Sequence, residues 1–289
     1  MLGRNPVLPW GYRWSAADWA LLRCPTCQAS LLAAAGDAIR CSGCSESWPY
    51  HSDIPVLFRE AWVQGTDKVM ALFYDNVPRL HDPAVRYLLP IWQLEGREST
   101  MRNGYIRRLQ LDAADLQANP TPRLLEVSLG TGVNVALVRR AAAAGQRLDY
   151  WGLELSPGML RIGCERLQAA NEKQVRLVQG DAHSLPFASD TFDRVLHVGG
   201  IGGFRSPEAA MAEMVRVAKP GALIVVADEQ LDPGRSHSLW SRAWFKALTF
   251  YDRDPHCPKE SVPTLATDVI DEQVSRFYYC LSFRKSLLP

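Results

Sequence analysis

The chain has 289 residues, of which 47% are hydrophobic, so it can bury a full core and accommodate one large domain plus a smaller unit. Its 32 basic and 31 acidic residues leave a net charge of +1, which provides no general field for nucleic acid or an anionic membrane. The longest apolar runs, such as 223–227, are too short to span a bilayer, and residues 1–14 lack an apolar signal core. The composition therefore predicts a soluble cytoplasmic protein without a membrane span.

Two Cys-x-x-Cys pairs stand near the N-terminus with thirteen residues between them. Each pair can form a knuckle that presents two thiolates to one metal, and two knuckles complete a tetrahedron. A site closed by four thiolates is typical of structural zinc rather than catalytic zinc. We therefore predict one structural Zn²⁺, held by Cys24, Cys27, Cys41 and Cys44.

The sequence around these cysteines resembles the zinc-ribbon family of small activator proteins that partner tRNA and translation-factor methyltransferases. The matching residues are Leu-Arg-Cys-Pro-x-Cys at 22–27, the second cysteine pair, and a tail at 48–57 that ends in Asp-Ile-Pro-Val-Leu. In that family the ribbon stabilises or docks a catalytic subunit. The resemblance implies that residues 1–60, an N-terminal arm and a ribbon, do so within one chain.

Residues 61–120 are predicted to be mainly helical and to end in a linker; a resemblance described below implies that this segment is a lid. The helical pattern is interrupted at Pro78, Pro83, Pro90 and Gly96, and the segment 119–122, Asn-Pro-Thr-Pro, is typical of a linker.

From Arg123 onward, short apolar runs alternate with helical segments. Strands are predicted at 124–127, 150–155, 175–178, 192–198 and 223–227, with helices at 133–140, 156–170 and 207–218. This alternation indicates an α/β, Rossmann-like fold with a doubly wound, mostly parallel sheet covered on both faces. An aromatic helix at 239–250, a loop at 252–263 and a last strand at 274–284 complete the domain predicted for 121–289.

The first of these strands ends in a glycine turn, Glu126-Val-Ser-Leu-Gly130-Thr-Gly132. A strand, a tight glycine turn and a helix let the backbone approach a nucleotide-like ligand closely. Here the acid precedes the glycines, whereas dinucleotide-binding folds carry theirs about twenty residues further on. An acid in the early position suits a ligand with an amino-bearing end and indicates S-adenosylmethionine (SAM).

Four motifs in register make the chain similar to the class I SAM-dependent methyltransferases, in the subgroup that includes ubiquinone and menaquinone biosynthesis enzymes. The motifs lie at 125–132, 152–160, 180–193 and 213–221. The resemblance implies a cofactor site in which the glycine turn faces the methionine portion, Glu154 accepts the ribose hydroxyl protons and Asp181 with the Ala182 amide reads the adenine edge. The predicted cofactor-binding residues are Glu126, Ser128, Gly130, Thr131, Gly132, Glu154, Leu155, Asp181, Ala182 and His197, with Leu185 as a second apolar wall.

Two residues are candidates for a catalytic role. His197 stands near the end of the fourth strand, where ligands bind in such sheets, and could act as a general base, although a buried structural histidine has the same signature. Tyr74 lies in the segment where the resemblance implies a lid with an aromatic residue near the methyl donor. The alternative is that Phe73, Tyr74 and Trp92 only pack a helix against the core.

Other polar residues near the predicted site have structural explanations as well. His183 is expected to be structural. Asp252, His256 and Cys257 either shape an acceptor pocket or belong to a surface loop.

Ser128 stands where the family usually has its first glycine. A serine there either adopts an ordinary φ or reduces affinity for the ligand. We expect the turn to tolerate the serine.

The residues after the fourth strand favour a small-molecule acceptor. They read His-Val-Gly-Gly-Ile at 197–201 and lack the Asn/Asp-Pro-Pro-aromatic segment common in methyltransferases that act on base amines or glutamine amides. We predict methylation at oxygen or carbon of an aromatic or quinone-like compound. Alternatives are an rRNA or tRNA methyltransferase that uses the ribbon for docking, methylation of a soft acceptor such as arsenite through Cys164, Cys257 and Cys280, and a non-catalytic docking protein of the same fold. The sequence does not indicate an oligomeric state.

Overall fold

One eleven-stranded sheet runs through the computed structural model, which describes residues 10–36, 38–76 and 98–287. The strands are β1 Leu31–Ala35, β2 Ala38–Cys41, β3 Ser47–His51, β4 Ile54–Leu57, β5 Arg123–Val127, β6 Asp149–Glu154, β7 Arg176–Gly180, β8 Phe192–Val198, β9 Ala218–Glu229, β10 Ala266–Gln273 and β11 Tyr278–Lys285. Their order across the sheet is β1-β2-β3-β4-β7-β6-β5-β8-β9-β11-β10.

The central part of the sheet is parallel and doubly wound. Strands β5 to β9 pair in parallel, and chain order reverses at β5, with β6 and β7 on one side and β8 and β9 on the other. Because the connections diverge there, a crevice forms outside the carboxyl ends of β5 and its neighbours. The predicted Rossmann-like fold is confirmed.

Helices cover the sheet, and apolar side chains pack on each of its faces. The helices are α1 Ala16–Trp19, α2 Gly65–Asn76, α3 Glu98–Arg108, α4 Ala114–Gln117, α5 Val135–Ala141, α6 Pro157–Ala169, α7 Pro207–Val217 and α8 Leu239–Leu248, with short 3₁₀ turns at 60–62, 201–203 and 259–261. As expected for a Ser-Pro start, the Ser156 hydroxyl caps α6 by accepting the Met159 N–H at 3.1 Å.

The predicted lid is described only in part. Helices α2, α3 and α4 fall within 61–120, as the helical pattern predicted. Trp92, Pro78, Pro83, Pro90 and Gly96 lie outside the described residues.

Among the helices of the described ranges, none has the length and apolar character needed to cross a lipid bilayer.

The C-terminal part differs from the prediction. The last strand begins at Tyr278 rather than at 274, and it pairs antiparallel with both β9 and the unpredicted β10. Strand β10 is hard to recognise in the sequence because it is mostly exposed and polar, and its register shifts between Thr267 and Ile270, around Asp268 with φ +52°. A bulge of this kind interrupts the two-residue alternation that identifies a strand.

The ribbon is continuous with the main sheet. Strand β4 pairs in parallel with β7, with Val56 opposite Gln179 and Leu57 opposite Gly180. The Arg23 N–H donates to the Pro186 carbonyl and the Ala188 N–H donates to the Leu21 carbonyl, both at 2.9 Å. The unit predicted for residues 1–60 is therefore held by backbone hydrogen bonds to β7 and to the segment that follows it.

Candidate functional site

A cavity of about 540 Å³ lies at the carboxyl ends of the central strands, where the chain order reverses. One end, the glycine-turn end, is lined by residues that follow β5 and β6: Ser128, Gly130, Thr131, Glu154 and Leu155. The other, the tyrosine end, is lined by Tyr74, Glu229, Phe250, Tyr251 and Tyr278. Five of the predicted cofactor-binding residues therefore share this cavity.

Left-handed backbone shapes the glycine turn. Gly130 and Gly132 have φ +60° and +69°, and Ser128 has φ +60°. The expectation that Ser128 would adopt an ordinary φ is wrong. A residue with a Cβ in this region is strained by roughly 1 kcal/mol, so Ser128 is held there by its neighbours rather than by its own preference.

Glu154 faces the cavity with both carboxylate oxygens engaged. Its Oε1 accepts the Ser156 N–H and its Oε2 accepts the Gly130 N–H, both at 2.8 Å. Burial raises the pKa of this carboxyl, and the backbone N–H groups oppose that rise. Each oxygen has a second lone pair, so Glu154 can still accept hydrogen bonds from two ligand hydroxyls.

Glu126 lies beneath the cavity rather than on its wall. It is fully buried and accepts hydrogen bonds from the Asn134 amide at 2.7 Å and the Tyr150 hydroxyl at 2.5 Å. Burial raises the pKa of its carboxyl to about 7. Asn134, which sequence reasoning missed, does line the cavity, and Arg102 donates to its Oδ1 at 3.0 Å. Glu126 therefore orients Asn134 and has no direct exposure to a ligand.

The predicted adenine-reading residues lie outside the wall of this cavity. The Asp181 carboxylate pairs with Arg205 at 2.6 Å and with the His183 ring at 2.7 Å. Burial alone would raise the pKa of Asp181, but these two partners lower it. Arg205 also pairs with Asp67, which does line the cavity.

Four further residues of the prediction lie near this region without lining the cavity. Ala182 and Leu185 are buried in the core, and Gly132 packs near Leu167. The partnership of His183 with Asp181 agrees with the structural role expected for His183.

His197 and Tyr74 occupy different environments. The His197 ring has no solvent exposure and is bonded through Nδ1 to the Val127 carbonyl at 3.0 Å. Burial lowers the pKa of its imidazole. The ring centroid lies 5.2 Å from that of Phe204. Phe204 lines the cavity, whereas His197 does not. Tyr74 lines the cavity, and the pKa of its hydroxyl is raised by burial and by Glu229, Asp228 and Glu154. Tyr74 is therefore part of the cavity wall at the tyrosine end, while His197 supports the wall from behind.

Helix α2 is fixed against the start of α6. The Asp75 Oδ1 accepts hydrogen bonds from the Ser156 hydroxyl at 2.6 Å and the Gly158 N–H at 3.0 Å. A Cβ on Gly158 would lie 2.8 Å from the Asp75 Cα, so only glycine permits this approach. The contact holds the helix that carries Tyr74 over the cavity.

The tyrosine end contains residues that the sequence did not single out. Glu229, the last residue of β9, accepts the Tyr278 hydroxyl on Oε1 and the Tyr251 hydroxyl on Oε2, each at 2.7 Å. The preceding Asp228 accepts the N–H groups of Gly200 and Gly202 at 2.9 and 3.1 Å. Two acids at the carboxyl end of a parallel strand were a signal that could have identified this cluster.

Asp252, His256 and Cys257 do not form a common cluster. Asp252 packs against Gly202, His256 is exposed and bonded to Glu260 at 2.9 Å, and Cys257 is buried. None of the three lines the cavity.

The four N-terminal cysteines converge on one point. Their sulfur atoms all lie within 4.8 Å of one another, with 3.7 Å between Cys24 and Cys44 and 3.4 Å between Cys27 and Cys41. Tetrahedral zinc with bonds of about 2.3 Å places its sulfur ligands about 3.8 Å apart, so this donor set fits zinc. Burial raises the pKa of the Cys41 thiol, but N–H donors from Cys44 and Gly43 outweigh it and bring the pKa to about 6.

Comparisons with known proteins agree with the geometry. Residues 125–226 match the family model described as a methyltransferase domain. The chain is 40% identical to the demethylmenaquinone methyltransferase of Renibacterium salmoninarum over 122 residues, covering 42% of this chain and 46% of that protein. It is 35% identical to the enzyme of the same name from Thermobifida fusca over 159 residues, covering 55% of this chain and 60% of that protein.

The chain thus spans about half the length of the curated relatives it matches. Among solved structures, Haemonchus contortus phosphoethanolamine N-methyltransferase 2 in complex with SAM aligns with a TM-score of 0.47 and 15% identity, over 61% of this chain and 52% of that chain. The segment that matches the methyltransferase-domain model, residues 125–226, coincides with the parallel strands of the doubly wound sheet.

Proposed function

We propose that the protein is a SAM-dependent methyltransferase acting on a small aromatic or quinone-like acceptor. The observation that carries this proposal is the cavity at the reversal point of the sheet, where the left-handed glycine turn and Glu154 face one space inside the matched domain. SAM supplies a methyl group on a positively charged sulfur. The chain's own residues bind, orient and desolvate the reactants, which is the main requirement for methyl transfer.

Each end of the cavity has a role in this proposal. The Ser128–Gly130 backbone holds the methionine portion, Glu154 accepts the ribose hydroxyls, and Leu155 with Met159 forms an apolar wall for the adenine. Arg205 pairs with both Asp67 and Asp181. For Asp181 to contact the adenine edge, Arg205 must release it and keep only its pair with Asp67. Tyr74, on the cavity wall, would lie near the methyl donor, whereas His197, buried behind the wall, would not touch the acceptor.

The acceptor class rests on two supports. The curated relatives are named for a demethylmenaquinone acceptor, and the tyrosine end has aromatic walls suited to a flat ring. Phe73 and Phe250 meet edge-on, with ring centroids 5.6 Å apart, and Phe250 meets Tyr251 in the same way. Methylation at oxygen or at carbon is compatible with such a pocket.

Zinc is proposed as a structural ion in the ribbon. Its four thiolates fill the tetrahedron, which leaves no position for a substrate. The first cysteine knuckle lies directly against the segment that follows β7, because the Ser184 hydroxyl donates to the Pro25 carbonyl at 3.0 Å. We propose that the ribbon holds this segment, which carries Asp181, in place.

Calorimetry on the full-length, zinc-loaded protein tests the proposal. We expect SAM and its demethylated product to bind, and Glu154→Ala to weaken both by tenfold or more because charged hydrogen bonds are lost. Glu60→Ala, an exposed carboxylate in the ribbon junction, is the matched control and should change binding less than twofold. Absence of binding to either ligand would show that the domain is not a methyltransferase.

A further inference from the structure

Glu229 is an unassigned carboxylate placed where it can meet an acceptor. It ends β9, lines the cavity, and lies directly opposite Tyr278 in the antiparallel pairing of β9 with β11. No residue of the predicted cofactor motifs contacts it among the hydrogen bonds of the described chain. Its position is therefore separate from the glycine-turn end.

Two tyrosines hold the Glu229 carboxylate by hydrogen bonds without occupying all of its acceptor sites. Tyr278 donates to one oxygen and Tyr251 to the other, each at 2.7 Å. A carboxylate has about four lone-pair sites, and the two tyrosines with the neighbouring Asp228 side chain use three of them at most, so one remains for a ligand. Burial raises the pKa of both tyrosine hydroxyls well above the ordinary value, so they remain donors across the physiological range.

Asp228 and Glu229 place two adjacent carboxyl groups at the end of β9. Burial and the neighbouring Glu229 raise the pKa of Asp228 well above its ordinary value, because a second negative charge beside Glu229 is unfavourable in this buried position. A hydrogen-bond acceptor amid aromatic side chains suits a hydroxyl donor on a flat ring.

The glycine run after β8 allows this arrangement. A Cβ on Gly203 would lie 2.7 Å from the Tyr251 ring, so any larger residue would push the ring away from Glu229. The N–H groups of Gly200 and Gly202 hold Asp228 from behind. The run 199–203 therefore supports the carboxylate pair and the tyrosine.

We infer that Glu229 binds the hydroxyl of an aromatic acceptor of the phenol or hydroquinone class and accepts its proton during methyl transfer. The proton passes to a free lone pair of Glu229, and the O–H electron pair stays on the acceptor. That pair forms the bond to the methyl carbon, through the oxygen or through a conjugated ring carbon, while the carbon–sulfur pair returns to sulfur. A ring carbon then loses its hydrogen as a proton and the oxygen regains one. The inference rests on the proposed function and specifies its acceptor.

The test compares two probes with the same ring system, 1,4-dihydroxynaphthalene kept reduced and 1,4-dimethoxynaphthalene, in which a methyl group replaces each hydroxyl proton. Binding to the full-length protein is measured by calorimetry with the demethylated cofactor present. The wild type should bind the dihydroxy probe at least tenfold more tightly, and Glu229→Gln should remove most of that preference. The affinity of Glu229→Gln for the demethylated cofactor should stay within twofold of the wild-type value. The control variant Glu60→Gln should also stay within twofold.

Each outcome decides the matter. If Glu229→Gln weakens binding of both probes equally, or leaves the preference for the dihydroxy probe unchanged, the assignment to Glu229 is overturned. Tyr278→Phe removes one donor to Glu229 and should reduce the same preference. An unchanged preference in Tyr278→Phe would also count against the assignment. A wild type that binds the cofactor but neither probe overturns the acceptor class and leaves the methyltransferase proposal standing. A wild type that binds no cofactor overturns the proposed function itself.

Discussion

The two ends of the cavity are built in opposite ways. The glycine-turn end comes from one short stretch, 128–134, and the neighbouring Glu154, and left-handed backbone shapes it. The tyrosine end comes from four distant elements that carry Tyr74, Glu229, Tyr251 and Tyr278, and it presents mainly side chains. A backbone cradle must be contiguous in sequence, whereas side chains can be brought together from any strand end or loop.

This difference explains why the two ends should respond differently to change. The glycine-turn end depends on φ angles and on the segments packed against its strands. The tyrosine end depends on close packing between the glycine run and residue 251. Perturbations chosen for each end should therefore weaken one class of ligand and spare the other.

Removal of zinc should have the largest effect and should act on the glycine-turn end. Without metal the four cysteines lose the ion that joins them, so the ribbon should loosen and release residues 181–188. We expect chelation to weaken binding of the demethylated cofactor by tenfold or more and to raise hydrogen exchange over 181–188, with zinc add-back restoring both. Unchanged affinity and exchange after complete zinc loss would show that the ribbon does not support this end.

Gly203→Ala should act on the tyrosine end with an intermediate effect. The new Cβ would meet the Tyr251 ring at 2.7 Å, displacing the hydroxyl that donates to Glu229. We expect the dihydroxynaphthalene probe to bind about tenfold more weakly and cofactor affinity to change less than twofold, both measured by calorimetry. Gly104→Ala, where the nearest atom is 3.6 Å away, should change neither. Parallel loss of both ligands would mean that the two ends are not independent.

Ser128→Gly should have the smallest effect. Glycine adopts φ +60° without steric cost, so the free energy of unfolding should rise by about 1 kcal/mol in urea titrations. Cofactor affinity should be equal or slightly higher. If Ser128→Gly lowers the free energy of unfolding, the interactions of the serine hydroxyl stabilise the fold by more than its left-handed φ destabilises it.

Sequence reasoning recovered the parts of the molecule that depend on local pattern. The parallel strands, the Ser156 cap, the cysteine cluster and the glycine turn all follow from periodicity, spacing or backbone chemistry that a single stretch displays. The polar edge strand β10 was not predicted, because solvent exposure and a bulge remove the alternation of apolar and polar residues that identifies a strand.

The residues that were missed depend on tertiary contacts. Glu229 and Tyr278 meet only because β11 runs antiparallel beside β9, and that pairing is not visible in either segment alone. Asp181 matches its motif, yet Arg205 pairs with it from 24 residues away. His197 sits on the correct strand, but the ring turns into the core toward the Val127 carbonyl.

The pairing of β4 with β7 also bears on association between molecules. An uncovered β7 would present a row of unpaired N–H and C=O groups, which can template pairing with another chain. The ribbon covers that row and ends the sheet in short antiparallel strands, while the opposite edge, β10, has a bulge and the acidic side chains of Asp268, Asp271 and Glu272. The two edges of the sheet are thus protected from pairing with another chain in different ways. Loss of the ribbon would expose β7 as an edge strand that can aggregate.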